Sequence, residues 1–332
     1  MKTRITDLLG IRVPIIAGGL QWLSDANYVA AAVNAGSMGF ITAASFPDIN
    51  DLRDEIRKCR DLTGGKPFGV NVSMLPKLVE GEKTQEVFDL IVEEQVACVE
   101  TSGRNPQAYL PQLKEAGVKV IHKVPAVKYA LKAQSIGVDA VTVVGAECGG
   151  HPGMEMVGTM VQAAVAGRSL DIPLIIGGGI GSGEQLVAAL ALGADGVIIG
   201  TRFLVAKEIW AHEGYKQRLL EAGETETTLV LQSLRNTARA LRNETTEAVQ
   251  GIELDTPGDL EKLMPHISGK VGKIAYETGD WSKGLLAVGQ SVAFADAIEP
   301  LADIIAKLER EAQAAMARLE EINAPIAMAA SA

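Results

Sequence analysis

Short apolar runs recur along the chain: VPIIAGG (13–19), MGFITAA (38–44), FGVNV (68–72), CVETSG (98–103), KVIHKV (119–124), AVTVVGA (140–146), LIIGGGI (174–180) and GVIIGTRF (196–203). Most are apolar at consecutive positions instead of alternating, which predicts parallel strands buried on both faces. Between most of them lie segments with helical spacing. SDANYVAAAVNAG (24–36) opens on a capping serine and closes on glycine, and QAYLPQLKEAG, AVKYALKAQSIG and SGEQLVAALALG also end on glycine. Strands alternating with helices predict an α/β protein, a (βα)8 TIM barrel. The competing architecture is a doubly wound sheet, but its first strand usually leads into G-x-G-x-x-G, whereas this one ends in AGGLQW.

The rhythm stops after residue 203. The pattern divides the chain into a barrel over 1–203, a mostly helical covering segment over 204–290, and a C-terminal part over 291–332 packing back on the barrel. A helical excursion is expected at 75–97. Residues 302–322 read as an amphipathic closing helix, with a frayed AMAASA tail.

Composition narrows the partners. The 332 residues carry a formal charge of −10 and show no basic cluster, so nucleic acid is not expected. No run is long enough to span a membrane, and the N-terminus lacks a secretory pattern. The three cysteines, Cys59, Cys98 and Cys148, have no metal-ligand spacing and suit reduced thiols in a cytoplasmic protein. No pair of histidines has metal-ligand spacing either, so no metal is expected.

In a barrel, chemistry belongs at the C-terminal ends of the strands. There the sequence places Gly18 to Trp22, Asn71, Ser73, Glu100, His122, Lys123, Glu147 to His151, Gly177 to Gly179, and Gly200 to Arg202. GGG after the seventh run and GT after the eighth suggest a phosphate cradle, because bare backbone N–H groups can approach an anion and the following helix adds its dipole. The phosphate could belong to a sugar phosphate, a nucleotide or FMN. Lys123, in an apolar strand, should point inward and needs an anionic partner. That partner is either the pyrimidine end of a reduced flavin or a carboxylate, Glu100 or Glu147. His122 should face the opposite way and be structural. His212 and His266 lie in polar segments and should be solvated.

PIIAGGLQW, GSMGFITAAS, KPFGVNVSMLP, VIHKV, GAECGGHPG, IIGGGI and ALGADGVIIGTRFLVAKE resemble the nitronate monooxygenase (2-nitropropane dioxygenase) superfamily of FMN-dependent barrels, over nearly the whole chain. SLRNTARALRN (233–243) and LLAVGQ (285–290) are similar to its bacterial NADH:quinone reductase branch. The resemblance implies that Gly18, Gly19, Leu20 and Gln21 line the flavin and that Asn71 meets its polar edge. It implies that Lys123 faces N1 and O2 and that Gly149 and Gly150 pass close to the ring. Gly178, Gly179, Gly200 and Thr201 would hold the phosphate, and Gln290 would close the site. His151, presented by the glycines and Pro152, would bind substrate or move its proton; the alternative is a structural histidine bonded to a loop carbonyl. Met74, Leu75 and Pro76 would form a lid over the substrate or simply a turn into a helix. Val144 stands where some relatives carry an acidic residue.

These residues imply a small-molecule oxidoreductase. It would oxidise alkyl nitronates with O2, or pass electrons from NADH or NADPH through FMN to a quinone; a third reaction is enoyl-thioester reduction. A homodimer is compatible with this reading. Outside that class stand a flavin-free phosphate-binding isomerase or aldolase, with Lys123 as a Schiff-base lysine, and a non-catalytic flavin-binding protein.

Overall fold

A computed structural model describes residues 1–74 and 83–323. In chain order the elements are α1 (Arg4–Leu9), β1 (Ile15–Ala17), α2 (Ala26–Asn34), β2 (Met38–Thr42), α3 (Ile49–Thr63), β3 (Gly69–Met74), α4 (Thr84–Glu93), β4 (Cys98–Gly103), α5 (Leu110–Glu115), β5 (Lys119–Val124), α6 (Val127–Ile136), β6 (Ala140–Val144), α7 (Thr159–Ser169), β7 (Leu174–Gly177), α8 (Gly183–Ala191) and β8 (Gly196–Ile199). Then follow α9 (Glu213–Leu220), β9 (Thr227–Val230), β10 (Ala238–Leu241), α10 (Glu244–Asp255), α11 (Leu260–Ile267), α12 (Gly269–Thr278) and α13 (Leu301–Asn323). Strands β1 to β8 pair in parallel and in order, and β1 closes on β8. All eight runs expected from the sequence are barrel strands.

Alternation along the strands sorts their side chains into two cores. Val70, Val72, Val99, Val120, Val141, Val143 and Val197 face outward and pack under the helices. Ile16, Met38, Phe40, Cys98, Ile121, Ala140, Ile175 and Ile198 fill the lumen, and Ile5 and Leu9 of α1 plug its lower end. The barrel is therefore a packed core with an apolar floor, and a site can form only above it.

The segment after β8 differs from the helical expectation in one respect: β9 and β10 form an antiparallel pair. The sequence signal was weak because Gln232 to Asn236, between the strands, lacks the Asn-Gly or Asp-Gly turn that marks a tight hairpin. Helix α13 begins one residue before the expected 302–322 and packs on α8. Leu308 and Ala312 press against Gly183, where no side chain would fit. Across the barrel's outer surface, Arg12 donates two hydrogen bonds to Glu309.

Candidate functional site

The inward positions above the apolar floor are polar. Register pairs Thr42 with Asn71 and Asn71 with Glu100, while Lys123 lies beside Thr142. Asn71 Nδ2 donates to Glu100 Oε2 at 2.5 Å, and Lys123 Nζ donates to the same oxygen at 2.9 Å. The carboxylate partner of Lys123 is therefore Glu100. Glu147 is engaged elsewhere: its carboxylate accepts from the backbone N–H and the hydroxyl of Thr159 and caps α7. Three buried atoms of this layer, Thr42 Oγ1, Glu100 Oε1 and Thr142 Oγ1, have no hydrogen-bond partner among the described residues. Unmet buried polar atoms are costly, and several in one layer point to a bound group. Thr42, Glu100 and Thr142 were legible as lone polar residues at inward positions of MGFIT, VET and AVTVV.

His122 alternates outward, as its neighbour's inward direction requires. Its Nδ1 lies 2.8 Å from Thr101 Oγ1 beneath the helix layer, and burial pushes its pKa down to about 4. Above pH 6.5, the ordinary value, both folded and unfolded chains hold it neutral. As pH falls from there towards 4, the unfolded chain takes up a proton that the folded chain refuses. Stability should fall across that window by about 3 kcal/mol in total. Urea unfolding at pH 7 and pH 4.5 measures this, and His122→Gln should remove that share of the difference.

The glycine-rich ends of β7 and β8, expected to hold a phosphate, leave backbone N–H groups free. The N–H groups of Gly178, Gly179, Gly200 and Thr201 have no acceptor among the described residues. The first turn of α8, however, is not free to serve an anion. Ser182 and Gln185 form a capping box there, and the Glu311 carboxylate accepts from Gly183 N–H at 2.9 Å. The short 3-10 turn Thr201–Val205 that follows β8 has no side-chain cap at its N-terminus. The Thr201 hydroxyl accepts from Gly289 N–H at 2.9 Å. Arg202, although adjacent, is an anchor paired with Asp296.

The β1 end forms the adjoining wall, because β1 pairs with β8. Leu20 reaches Gly200, and a side chain at Gly19 would strike Asn71 at 2.8 Å. Gln21 is exposed and rests against Gly269 at the start of α12. Trp22 adopts φ +69°, a strained conformation for a bulky residue. Three hydrogen bonds hold it: its N–H donates to Ser45 Oγ, its indole to the Gly269 carbonyl, and the Trp210 indole to its carbonyl. Strain maintained by contacts from three directions is characteristic of functional sites.

ECGGHPG differs in detail from its expected role. Gly149 faces the backbone of Val288 and Gly289, 2.7–3.0 Å from where a Cβ would stand. That space is filled by the stretch that follows α12. Gln290 N–H donates to the Glu147 carbonyl at 3.0 Å, which fastens the same strap. Gly150 takes φ +79° with open space around it, and exchanges hydrogen bonds of 3.0 and 2.7 Å with Arg239 of β10. SLRNTARALRN is thus bound to the loop that carries His151. Arg239 itself is buried and donates to the Ala146 carbonyl. A second bond runs from Arg239 to Thr227 Oγ1 on β9; sequence reasoning gave Arg239 no role, since its partners are brought to it only by the β9–β10 pairing and the loop after β6.

His151 is exposed at the mouth, and its ring has no hydrogen-bond partner among the described residues. The surrounding walls lower its pKa below the ordinary histidine value by desolvation, so it is neutral at pH 7. Cys148 is half-buried, and desolvation pushes its thiol up to about 12, which disfavours the thiolate at neutral pH. Met74 is not a lid residue: it is buried in the outer core with Val70 and Val72, because β3 alternation turns it away from the lumen. Leu75 and Pro76 lie outside the described residues. His212 is exposed, but its Nδ1 accepts from Gly214 N–H and caps α9. Among the described residues, no cluster of three His, Cys, Asp or Glu could hold a metal, and no helix is long and apolar enough to cross a membrane.

Comparison with known proteins places this barrel among the oxidoreductases. The family model described as nitronate monooxygenase matches residues 2–311, and the chain belongs to that family. A "Probable nitronate monooxygenase" of Staphylococcus aureus is 29% identical, over 87% of this chain and 92% of its own. A (3aS,4S,5R,7aS)-5-hydroxy-7a-methyl-1-oxo-octahydro-1H-indene-4-carboxyl-CoA dehydrogenase of Rhodococcus jostii is 35% identical over 69% of this chain, which spans 62% of that relative's length. The structure of FabK from Thermotoga maritima superposes with a TM-score of 0.88 at 34% identity, covering 97% of this chain and 99% of that one.

Proposed function

We propose that this enzyme is an FMN-dependent oxidoreductase that oxidises alkyl nitronates at the mouth of its barrel. The observation that carries the reading is the pairing of two features at the mouth: an exposed His151 ring with no hydrogen-bond partner among the described residues, and the N–H groups of Gly178, Gly179, Gly200 and Thr201, which have no acceptor there. The residues present fit FMN. Gly178, Gly179, Gly200 and Thr201 would hold its phosphate, and Asn71 and Lys123 would meet the polar edge of its ring. Gly18, Gly19, Leu20 and Gln21 would flank the ring, with Gln290 and Gly150 on the strap side. When bound, the flavin supplies the electron and hydride exchange that side chains cannot perform.

His151 would hydrogen-bond the nitro oxygens, or take the α-proton of a neutral nitroalkane. Lys123 would hold positive charge near the end of the ring where negative charge develops on reduction. Pairing of β10 with Gly150 would fix the histidine loop, and the strap at Val288–Gln290 would limit water at the site.

Two other reactions have an observation in their favour. NAD(P)H reduction followed by electron transfer to a quinone is favoured by SLRNTARALRN, which binds the His151 loop directly. A thioester substrate is favoured by the likeness to the Rhodococcus CoA dehydrogenase. An anaerobic absorbance spectrum separates the three. Bleaching of a yellow protein by a propyl nitronate, with indifference to NADH and NADPH, is the expected result. Bleaching by NADH with recovery on benzoquinone identifies the quinone reaction, and recovery only on an enoyl-CoA identifies the thioester reaction. A colourless protein that takes up no FMN overturns the flavin reading.

A further inference from the structure

Lys123 does not face the lumen as an isolated cation. Glu100 Oε2 accepts from its Nζ at 2.9 Å and from Asn71 Nδ2 at 2.5 Å. One buried oxygen thus ties together the two side chains expected at the ring's polar edge. Glu100 has no exposed surface, whereas a quarter of the Lys123 side chain remains open to the mouth. The other carboxylate oxygen, Oε1, is buried and unpartnered among the described residues, where Lys123 is the one charged group hydrogen-bonded to this carboxylate. A carboxylate buried in this way both fixes the ammonium and opposes its field.

We propose that Glu100 is the positioning residue of the ring site. It holds Lys123 and Asn71 in place and offsets most of the lysine charge, so the flavin edge meets a dipole instead of a full cation. The consequence is a reduced flavin stabilised less than a free lysine would stabilise it, which favours passing its electrons onward. The inference rests on the flavin reading above.

Glu100→Gln tests it, because the amide oxygen can still accept from Asn71 while the charge is gone. Two results are expected. The reduction potential of bound FMN, measured against a reference dye, should become more positive. In the flavin-free protein, acylation of Lys123 by acetic anhydride at neutral pH, followed by mass spectrometry, should be several-fold faster, because the amine is no longer held against the buried carboxylate. Glu100→Asp keeps the charge one methylene further back and should return both readouts part of the way to wild type. It also serves if the glutamine variant does not fold. Wild-type potential together with a wild-type labelling rate in a folded variant overturns the proposal. Failure of the protein to bind FMN would remove the flavin reading, and the labelling comparison would still decide whether Glu100 controls Lys123.

Discussion

His151→Ala should take up FMN as the wild type does and lose turnover by about 10²- to 10⁴-fold, the usual contribution of one positioned acid–base group. The expectation follows from placement. Removal of the ring takes away no hydrogen bond to the glycine-rich ends of β7 and β8, so the proposed cofactor contacts should remain. The ring also has no hydrogen bond to lose among the described residues, so folding should be nearly unaffected. Desolvation lowers its pKa, and the proton-accepting form therefore prevails at neutral pH. If it acts as a base, activity falls on acidification only below the ordinary histidine range, and that acid limb disappears in His151→Gln. Steady-state rates with a nitroalkane, alongside flavin fluorescence to count bound FMN, make the check. Unchanged turnover would assign His151 no part in the chemistry.

Gly149→Ala should be among the most damaging single methyl additions in the mouth. Its Cβ would stand 2.7 Å from Gly289 N and 2.8 Å from the Val288 carbonyl carbon, and both are backbone atoms that cannot rotate away. Overpacking of this kind costs about 1–3 kcal/mol. The strap must shift, and with it the Gly289 bond to Thr201 and the Gln290 bond to Glu147. Thermal unfolding should move to lower temperature, and FMN affinity should fall because Thr201 loses the contact that sets its hydroxyl. Gly251→Ala is the control. It lies in α10 with nothing within 4 Å, and should be neutral or stabilise by up to about 1 kcal/mol. A wild-type melting curve for Gly149→Ala would show that the strap yields freely.

Much of the barrel could be read in advance because its strands are buried on both faces and its helices end on glycines, which are local signals. Lys123 and His122 show how far that reading extends. Neighbours on one strand must point oppositely, so one enters the lumen and the other the helix layer, as the register confirms. Met74 was misread because the same rule was not applied to the end of β3. The β9–β10 pair was missed because nothing local marks its turn.

The sequence alone determined the eight-strand alternation, the polar mouth, the glycine-rich ends of the last two strands and the family to which they point. Tertiary structure decided which partner each of these residues has. It gave Lys123 to Glu100, Gly149 to Val288 and Gly289, Gly150 to Arg239, and the first turn of α8 to Glu311. The physical reason is that periodicity and capping act within a few residues, whereas a buried charge or a bare glycine is satisfied by whatever the closed barrel and its covering segment bring within 3 Å.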